Sequence, residues 1–252
     1  MADLVFGLNP HLRAPASGGC PHGECDGSGF VLDEDADEAR PCRCRPARVA
    51  AARSASLART IPERYQHVGF ERSPVTEMDR MIVREVRRYC DAVDRRLDEG
   101  RGLLFYGSTG TGKTTLAMLV AQEAMRRHRT VAIYDAPRLL RRIGATFRPD
   151  SRETWTELID QIEAVDLLVL DDVAVTSQAE WVLEQFYSVI NRRYEARRAM
   201  VVTADVEAPE ELDKNIGQRA VSRLIETCLP VPMFGPDNRR VHDAREEERH
   251  AG

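Results

Sequence analysis

The chain has 252 residues, 42% of them hydrophobic, which is enough for one large or two small packed domains, and it carries a formal net charge of −5. That acidity excludes a generally basic coat for nucleic acid, so any contact with DNA has to come from a local patch. No run approaches the roughly eighteen apolar residues of a membrane helix, and residues 1–15 lack the basic start and long apolar core of a secretory signal, so the cytoplasm is the expected compartment.

Four of the six cysteines come first along the chain: Cys20, Cys25, Cys42 and Cys44, with AspGlySerGlyPhe at 26–30 making tight turns between the pairs. Four thiolates close a tetrahedral zinc site, and a small polar segment in a reducing compartment needs such a staple to fold. Binding free energies of about 10 to 16 kcal/mol for such sites exceed what the core of this segment supplies. The spacing differs from the commonest two-residue gap, so His22 stands as an alternative to Cys20 or Cys25, and a redox-sensitive tail or another metal are the competing readings. Residues 1–48 form the predicted zinc-binding module, and an Ala/Arg/Ser run at 49–60 the predicted linker.

From 61 to 235, short apolar runs alternate with amphipathic segments, as a sheet covered by helices on both faces requires. The strand candidates are Leu103–Tyr106, Val131–Tyr134, Leu167–Leu170, Met200–Thr203 and Leu229–Met233; helices are expected near 76–98, 113–128, 152–164, 178–197 and 216–226. The class is α/β, three layers around a mainly parallel five-stranded sheet, with ligands expected at the carboxyl ends of the strands. Cys90 and Cys228 sit in apolar patterns and read as core. A charged tail, 236–252, closes the chain.

The chemistry-bearing motifs fall at those strand ends. Gly107, Ser108, Thr109, Gly110, Thr111, Gly112, Lys113 and Thr114 fit the eight-position phosphate loop, followed by Thr115, after an apolar strand and at the start of a helix. Glycines let the backbone wind around an anion so that amides and the helix N-terminus face the phosphates of ATP. Lysine occurs only at Lys113 and Lys214 among otherwise arginine cations, and a compact ammonium retained against that bias suits a tight phosphate site; Lys214 reads as a surface residue. Thr114 offers a hydroxyl to Mg²⁺. The strand at 167–170 ends in Asp171, expected in the Mg²⁺ shell, and Asp172, expected to orient the attacking water, with a helix cap as the plainer reading of the pair. Asp205 closes the next strand and is a candidate sensor of the γ-phosphate or, equally, a turn before Pro209. Arg219 and Arg223 lie four apart on one helical face, as arginine fingers reaching a neighbouring subunit or as solvated surface groups. Hydrolysis of ATP to ADP and phosphate is favoured over a small-molecule kinase or a nucleotide-gated binding module.

The order of these motifs, together with IleProGluArgTyr at 61–65, ValGlyPhe at 68–70 and GluGlnPheTyrSerValIleAsnArgArgTyrGlu at 184–195, resembles the AAA+ ATPases of the bacterial DnaC/DnaI helicase-loader group, which is IstB-like, across about 60 to 235. The resemblance implies an AAA+ core whose lid domain is absent, because few residues follow the arginine helix, and 61–65 bordering the adenine. It implies a replicative helicase as partner, reached through the cysteine module, and a role in DNA replication, with an IstB-like transposition helper as the alternative. It also implies a path for single-stranded DNA over the short helix after the second strand, where Arg138, Arg141 and Arg142 cluster and Tyr134, Phe147 and Trp155 are candidate stacking faces; a solvated arginine face is the alternative. Two departures stand out: Asp205 where the group carries asparagine, a charge that repels a γ-phosphate unless protonated or turned away, and AlaValThrSerGlnAla at 174–179 in place of a Gly-containing turn.

Overall fold

The computed structural model describes residues 20–33, 38–45, 61–173 and 180–238. Strands β1 (Phe30–Asp33) and β2 (Glu38–Pro41) pair antiparallel as a hairpin around the cysteines. The core then runs α1 (Arg80–Asp91), α2 (Val93–Asp98), β3 (Gly102–Tyr106), α3 (Lys113–Arg126), β4 (Val131–Asp135), α4 (Ala136–Thr146), α5 (Trp155–Ala164) and β5 (Leu167–Asp171). It finishes with α6 (Glu180–Glu195), β6 (Ala199–Ala204), α7 (Asp213–Ile216), α8 (Gln218–Thr227) and β7 (Cys228–Pro232).

All five expected core strands form, in the order β4-β5-β6-β3-β7 and parallel throughout. Pro230 and Pro232 both sit in β7, which is an edge strand, where a residue without an N–H costs no ladder hydrogen bond on its open side. Side chains alternate across the sheet. Leu103, Phe105, Val169 and Val201 pack beneath α1 to α3, while Leu104, Leu168, Met200 and Val202 pack beneath α4, α5, α6 and α8. Both faces are covered, giving the three-layer α/β core that the alternating pattern implied.

Two expected helices are broken. The segment expected at 76–98 begins only after Asp79, whose side chain caps Met81 and Ile82, and it divides at Ala92, whose backbone leaves the helical region. The segment at 216–226 is interrupted by Gly217, at φ 84, between α7 and α8. The helix from 152 starts instead at Trp155, where Thr154 and Glu157 form a reciprocal capping box. Cys90 and Cys228 are buried as expected, and burial pushes each thiol up to about 12. The linker at 49–60, the turn at 174–179 and the tail beyond Asn238 lie outside the described residues.

Arg193, in the 184–195 segment, is fully buried. Its guanidinium donates to the carbonyls of Ile162 (2.6 Å), Val165 (3.0 Å), Asp166 (3.2 Å) and Ala199 (2.7 Å). One side chain thus ties the end of α5 to the starts of β5 and β6. Burial works against its charge, and these oxygens, with that of Glu163 at 3.4 Å, compensate it.

Candidate functional site

The phosphate loop joins β3 to α3 at the carboxyl edge of the sheet. Its winding needs glycine: a Cβ on Gly107, at φ +131, would sit 2.1 Å from Met233 O, and one on Gly110, at φ +77, would sit 1.8 Å from Asp237 Oδ1. Both collisions are with the segment leaving β7. Ser108 N–H donates to Met233 O (3.0 Å) and Asn238 N–H donates to Gly110 O (3.0 Å). Residues assigned from sequence to the start of a charged tail thus brace the loop. Among the described residues, Lys113 Nζ donates to Gly107 O (3.0 Å) and Ser108 O (2.6 Å) and lies 2.6 Å from Asp205 Oδ1.

Beside the loop, β5 delivers Asp171 and β6 delivers Thr203. Asp171 Oδ1 accepts from Thr114 Oγ1 (2.9 Å) and Thr203 Oγ1 (2.6 Å), and the same Thr203 oxygen accepts from Asp172 N–H (2.9 Å). Asp172 has left the strand at φ 60, a left-handed conformation that aspartate tolerates better than most residues. Burial, and then the charges of Asp205 and Asp171, raise the Asp172 carboxyl above its usual range, with Lys113 opposing them. Thr109 Oγ1 donates to Asp205 Oδ2 (2.5 Å). The expected residues of loop, strand end and third strand therefore converge, and Thr203 joins them without having been expected.

A cavity of about 600 Å³ opens on this edge, and Lys113, Thr114, Asp171, Asp172 and Asp205 line it. Its other wall is the leading segment: Arg64, Tyr65, Pro74 and Met78. The Arg64 guanidinium lies 4.6 Å from the centroid of the Tyr65 ring, and Gln122 Nε2 holds Tyr65 O at 2.5 Å, so the 61–65 motif is pinned to α3. This volume and its mixture of apolar wall and phosphate-loop polar groups fit a nucleotide. For a divalent cation, the oxygen donors already gathered on Asp171 Oδ1 are the hard ligands that Mg²⁺ takes.

Arg219 and Arg223 lie outside that cavity. Arg219 stacks 4.1 Å from the Tyr187 centroid and donates to its hydroxyl (2.6 Å); Arg223 stacks 4.0 Å from that of Tyr194. Both are held against α6 on an outer face of the molecule. On α4, Arg138 and Arg141 are exposed, but Arg142 is engaged by Glu153 (2.8 Å) and the Tyr134 hydroxyl (2.5 Å). Trp155 Nε1 donates to Gln185 (2.9 Å), so Tyr134 and Trp155 serve the fold. Phe147 remains open at 60% exposure, edge-on to the exposed Trp181 at 6.4 Å. Lys214 is exposed, as its plain reading required.

In the hairpin, the sulfurs of Cys20, Cys25, Cys42 and Cys44 all lie within 4.8 Å of one another, with Cys20–Cys42 at 3.6 Å and Cys25–Cys44 at 3.5 Å. A tetrahedron of thiolates about 2.3 Å from zinc has edges of about 3.8 Å, so the four sulfurs fit that ion. His22 is exposed and is not among the four grouped side chains. Burial opposes ionisation of Cys20, but the amides of Cys25, Glu24 and His22 outweigh it and bring the thiol down to about 6, whereas burial lifts Cys44 to about 12.

Among the described residues, no helix is long and apolar enough to cross a membrane. A model of the family of IstB-like ATP binding proteins matches residues 51–240. The replicative helicase loader DnaC of Escherichia coli (strain K12) is 26% identical over 163 residues, 64% of this chain; the chain spans 64% of that relative's length. The crystal structure of the DnaC helicase loader superposes with a TM-score of 0.60 at 20% identity, over 68% of this chain and 99% of the other, a likeness of fold. The replication initiator DnaA bound to AMPPCP and single-stranded DNA gives 0.57 at 26% identity, over 70% of this chain and 51% of that one.

Proposed function

The chain belongs to the family of IstB-like ATP binding proteins, with the AAA+ core of the DnaC/DnaI helicase-loader group, and from that premise we propose that it is an ATPase that loads a hexameric replicative helicase onto single-stranded DNA. The observation that carries the reading is the convergence on one cavity edge of Lys113, Thr114, Asp171, Asp172 and Thr203. The loop amides from Gly107 to Thr115 and Lys113 bind the phosphates, and Arg64, Tyr65 and Met78 wall the base. Thr114 and Asp171 would hold Mg²⁺, which would supply charge neutralisation for the leaving phosphate. Asp172 positions the attacking water and Asp205 meets the γ-phosphate. Arg219 and Arg223 serve a neighbouring subunit's nucleotide in this reading, which makes self-assembly part of it; their stacking on the outside of α6, away from the cavity of their own chain, supports it.

The work divides along the chain: a module at 1–48 stapled by zinc on Cys20, Cys25, Cys42 and Cys44 binds the helicase, 49–60 links it, and 61–235 hydrolyses ATP. Arg138, Arg141, Phe147 and Trp181 offer the charge and stacking faces that single-stranded DNA requires. The protein acts in the cytoplasm. The test is a pull-down of purified chain against the replicative helicase of its host, with ATP, with ADP, with Lys113→Ala and with residues 1–50 removed. A nucleotide-sensitive complex lost on truncation is expected. A second reading, a transposition helper, is favoured by the IstB-like family match; capture of a transposase and no helicase in any nucleotide state would select it.

A further inference from the structure

Resting on the reading of the chain as an ATPase that works on DNA, we propose that α1 and the segment before it carry a second nucleic-acid contact, a row of arginines that takes the phosphate backbone of a duplex.

The row follows from the period of the helix. Arg80, Arg84 and Arg87 stand at i, i+4 and i+7 of α1, on one side of it and over about 10 Å of its axis. They rim a depression of about 210 Å³ whose floor is Val75, Met78 and Val83, with Thr76 completing the wall. Among the described residues no carboxylate lines it. Arg87 also borders a second depression, of about 430 Å³, together with Arg72 and Arg126.

The acids of this stretch are engaged. Asp79 caps α1 through Met81 N–H (2.7 Å), Glu77 accepts from Ser73 (2.7 Å) and Glu85 pairs with Arg88 (2.9 Å). Glu71 holds Arg87 at 2.6 Å in an exposed pair, of the kind that a phosphate can displace, and Asp91 closes the row at its far end. Elsewhere exposed arginines are answered by carboxylates, as Arg126 is by Glu123 and Arg192 by Asp160. Among the described residues Arg72 and Arg80 have no ion pair, and Arg84 has only the Met81 sulfur, at 3.2 Å. Like charges at i and i+4 repel each other, and a bound anion relieves that repulsion. Guanidinium forks match phosphate oxygens.

The absence of open rings selects the duplex. A single strand asks for stacking faces as well as charge. Among the described residues the exposed rings are Phe147, Trp181 and Phe234, none of them on α1 or just before it. Phe70 is half-buried, with the Arg87 guanidinium over its ring at 4.5 Å. Charge without stacking suits a double helix, which carries one phosphate charge per about 1.7 Å of axis. The row is also separable from the single-strand face: α1 packs with Leu103 and Phe105 on one side of the sheet, and α4 with Leu104 and Leu168 on the other.

The experiment is fluorescence anisotropy of the full chain, with Mg²⁺ and a non-hydrolysable ATP analogue, against a labelled duplex and a labelled oligothymidylate from about 50 to 200 mM salt. The triple variant Arg72→Gln, Arg80→Gln, Arg84→Gln should weaken the duplex about tenfold or more at the lowest salt. It should also make the slope of log K against log salt shallower by about 2 to 3, at about 0.9 per phosphate contact. Its single-strand affinity should change less than about threefold, and unchanged nucleotide binding reports an intact core. The same three arginines changed to lysine should keep the parent slope, because phosphates read charge. Arg138→Gln with Arg141→Gln should weaken the single strand and spare the duplex. An unchanged duplex slope in the glutamine triple, a single-strand loss as large as the duplex loss, or a parent that binds single strands and no duplex would overturn the proposal and leave the functional reading standing. A parent that binds neither DNA nor nucleotide would sink both.

Discussion

Thr203 is the residue whose removal best tests how the site is assembled. It is 2% exposed, donates to Asp171 Oδ1 at 2.6 Å and accepts from Asp172 N–H at 2.9 Å, so one hydroxyl fixes both acids at the end of β5. Thr203→Val preserves the shape and deletes the oxygen. It removes a hydrogen bond to a charged group, worth roughly 1.5–3 kcal/mol, and strands an amide donor that costs about 1–3 kcal/mol unless it finds water. Allowing for partial relaxation, the expected loss is about 2–4 kcal/mol, which at about 2–4 °C per kcal/mol lowers the thermal midpoint by roughly 5–15 °C. Thr203→Ser keeps the hydroxyl and loses one methyl, about 1 kcal/mol. Thermal and urea unfolding of the three proteins, with Mg²⁺-dependent ATP turnover measured in parallel, separates the two contributions. Serine should retain turnover and valine should lose about a hundredfold or more, because Asp172 is no longer oriented. Equal midpoints for serine and valine, or full turnover in valine, would refute the hydroxyl bridge.

Arg193→Met keeps bulk but leaves five carbonyls without their donor, and it should cost about 3–5 kcal/mol in urea unfolding, or keep the chain from folding at 37 °C. Because burial raises Cys90 and Cys228 to about 12, the unfolded chain releases their protons first once pH passes the usual thiol value of 9. Their contribution is complete below pH 9 and falls between about 9 and 12, by about 1 kcal/mol per pH unit for each thiol. The double variant Cys90→Ala, Cys228→Ala should flatten the alkaline slope of the urea midpoint; an unchanged slope would contradict the burial argument. Cys42→Ser should lose stoichiometric zinc by elemental analysis while the core still binds nucleotide, and retention of one zinc per chain would disprove the four-thiolate centre.

The parallel strands were legible because they are apolar runs bounded by polar residues, and the phosphate loop because glycine spacing and flanking elements agree. What stayed hidden is hidden for physical reasons. The breaks at Ala92 and Gly217 leave the apolar period of 76–98 and 216–226 nearly continuous, so periodicity alone fuses each pair of helices. Thr203 looks like any threonine in a strand, a residue type that strands favour, and only its place between Asp171 and Asp172 N–H gives it a role. Arg193 was concealed by the arginine bias itself: one buried guanidinium reads like its solvated neighbours. The brace from Met233 to Asn238 comes from pairing β7 beside β3, a long-range contact that no local pattern reports. His22 was weighed against the cysteines on spacing alone, and spacing could not show that the chain folds the Cys20 and Cys42 sulfurs to 3.6 Å of each other across 22 residues.

The position of β6 ties these observations into one argument. It lies between β5 and β3, so its end is the one place in the sheet that can touch both the acidic pair and the phosphate loop. Thr203 does the first and Asp205 the second, two residues apart and hence on one side of the extended chain. Beyond Asp205 the chain is open at Glu207, Glu210 and Glu211 and then anchored by Leu212 and Ile216, both fully buried, before α8 presents Arg219 and Arg223. That exposed stretch and its buried anchor separate the end of β6 from the arginine helix along the backbone. In the self-assembly proposed above, communication between the γ-phosphate and those arginines would run from one chain's open cavity edge to the next chain's pair, and the stacking of Arg219 on Tyr187 and of Arg223 on Tyr194 is the arrangement such a contact would meet.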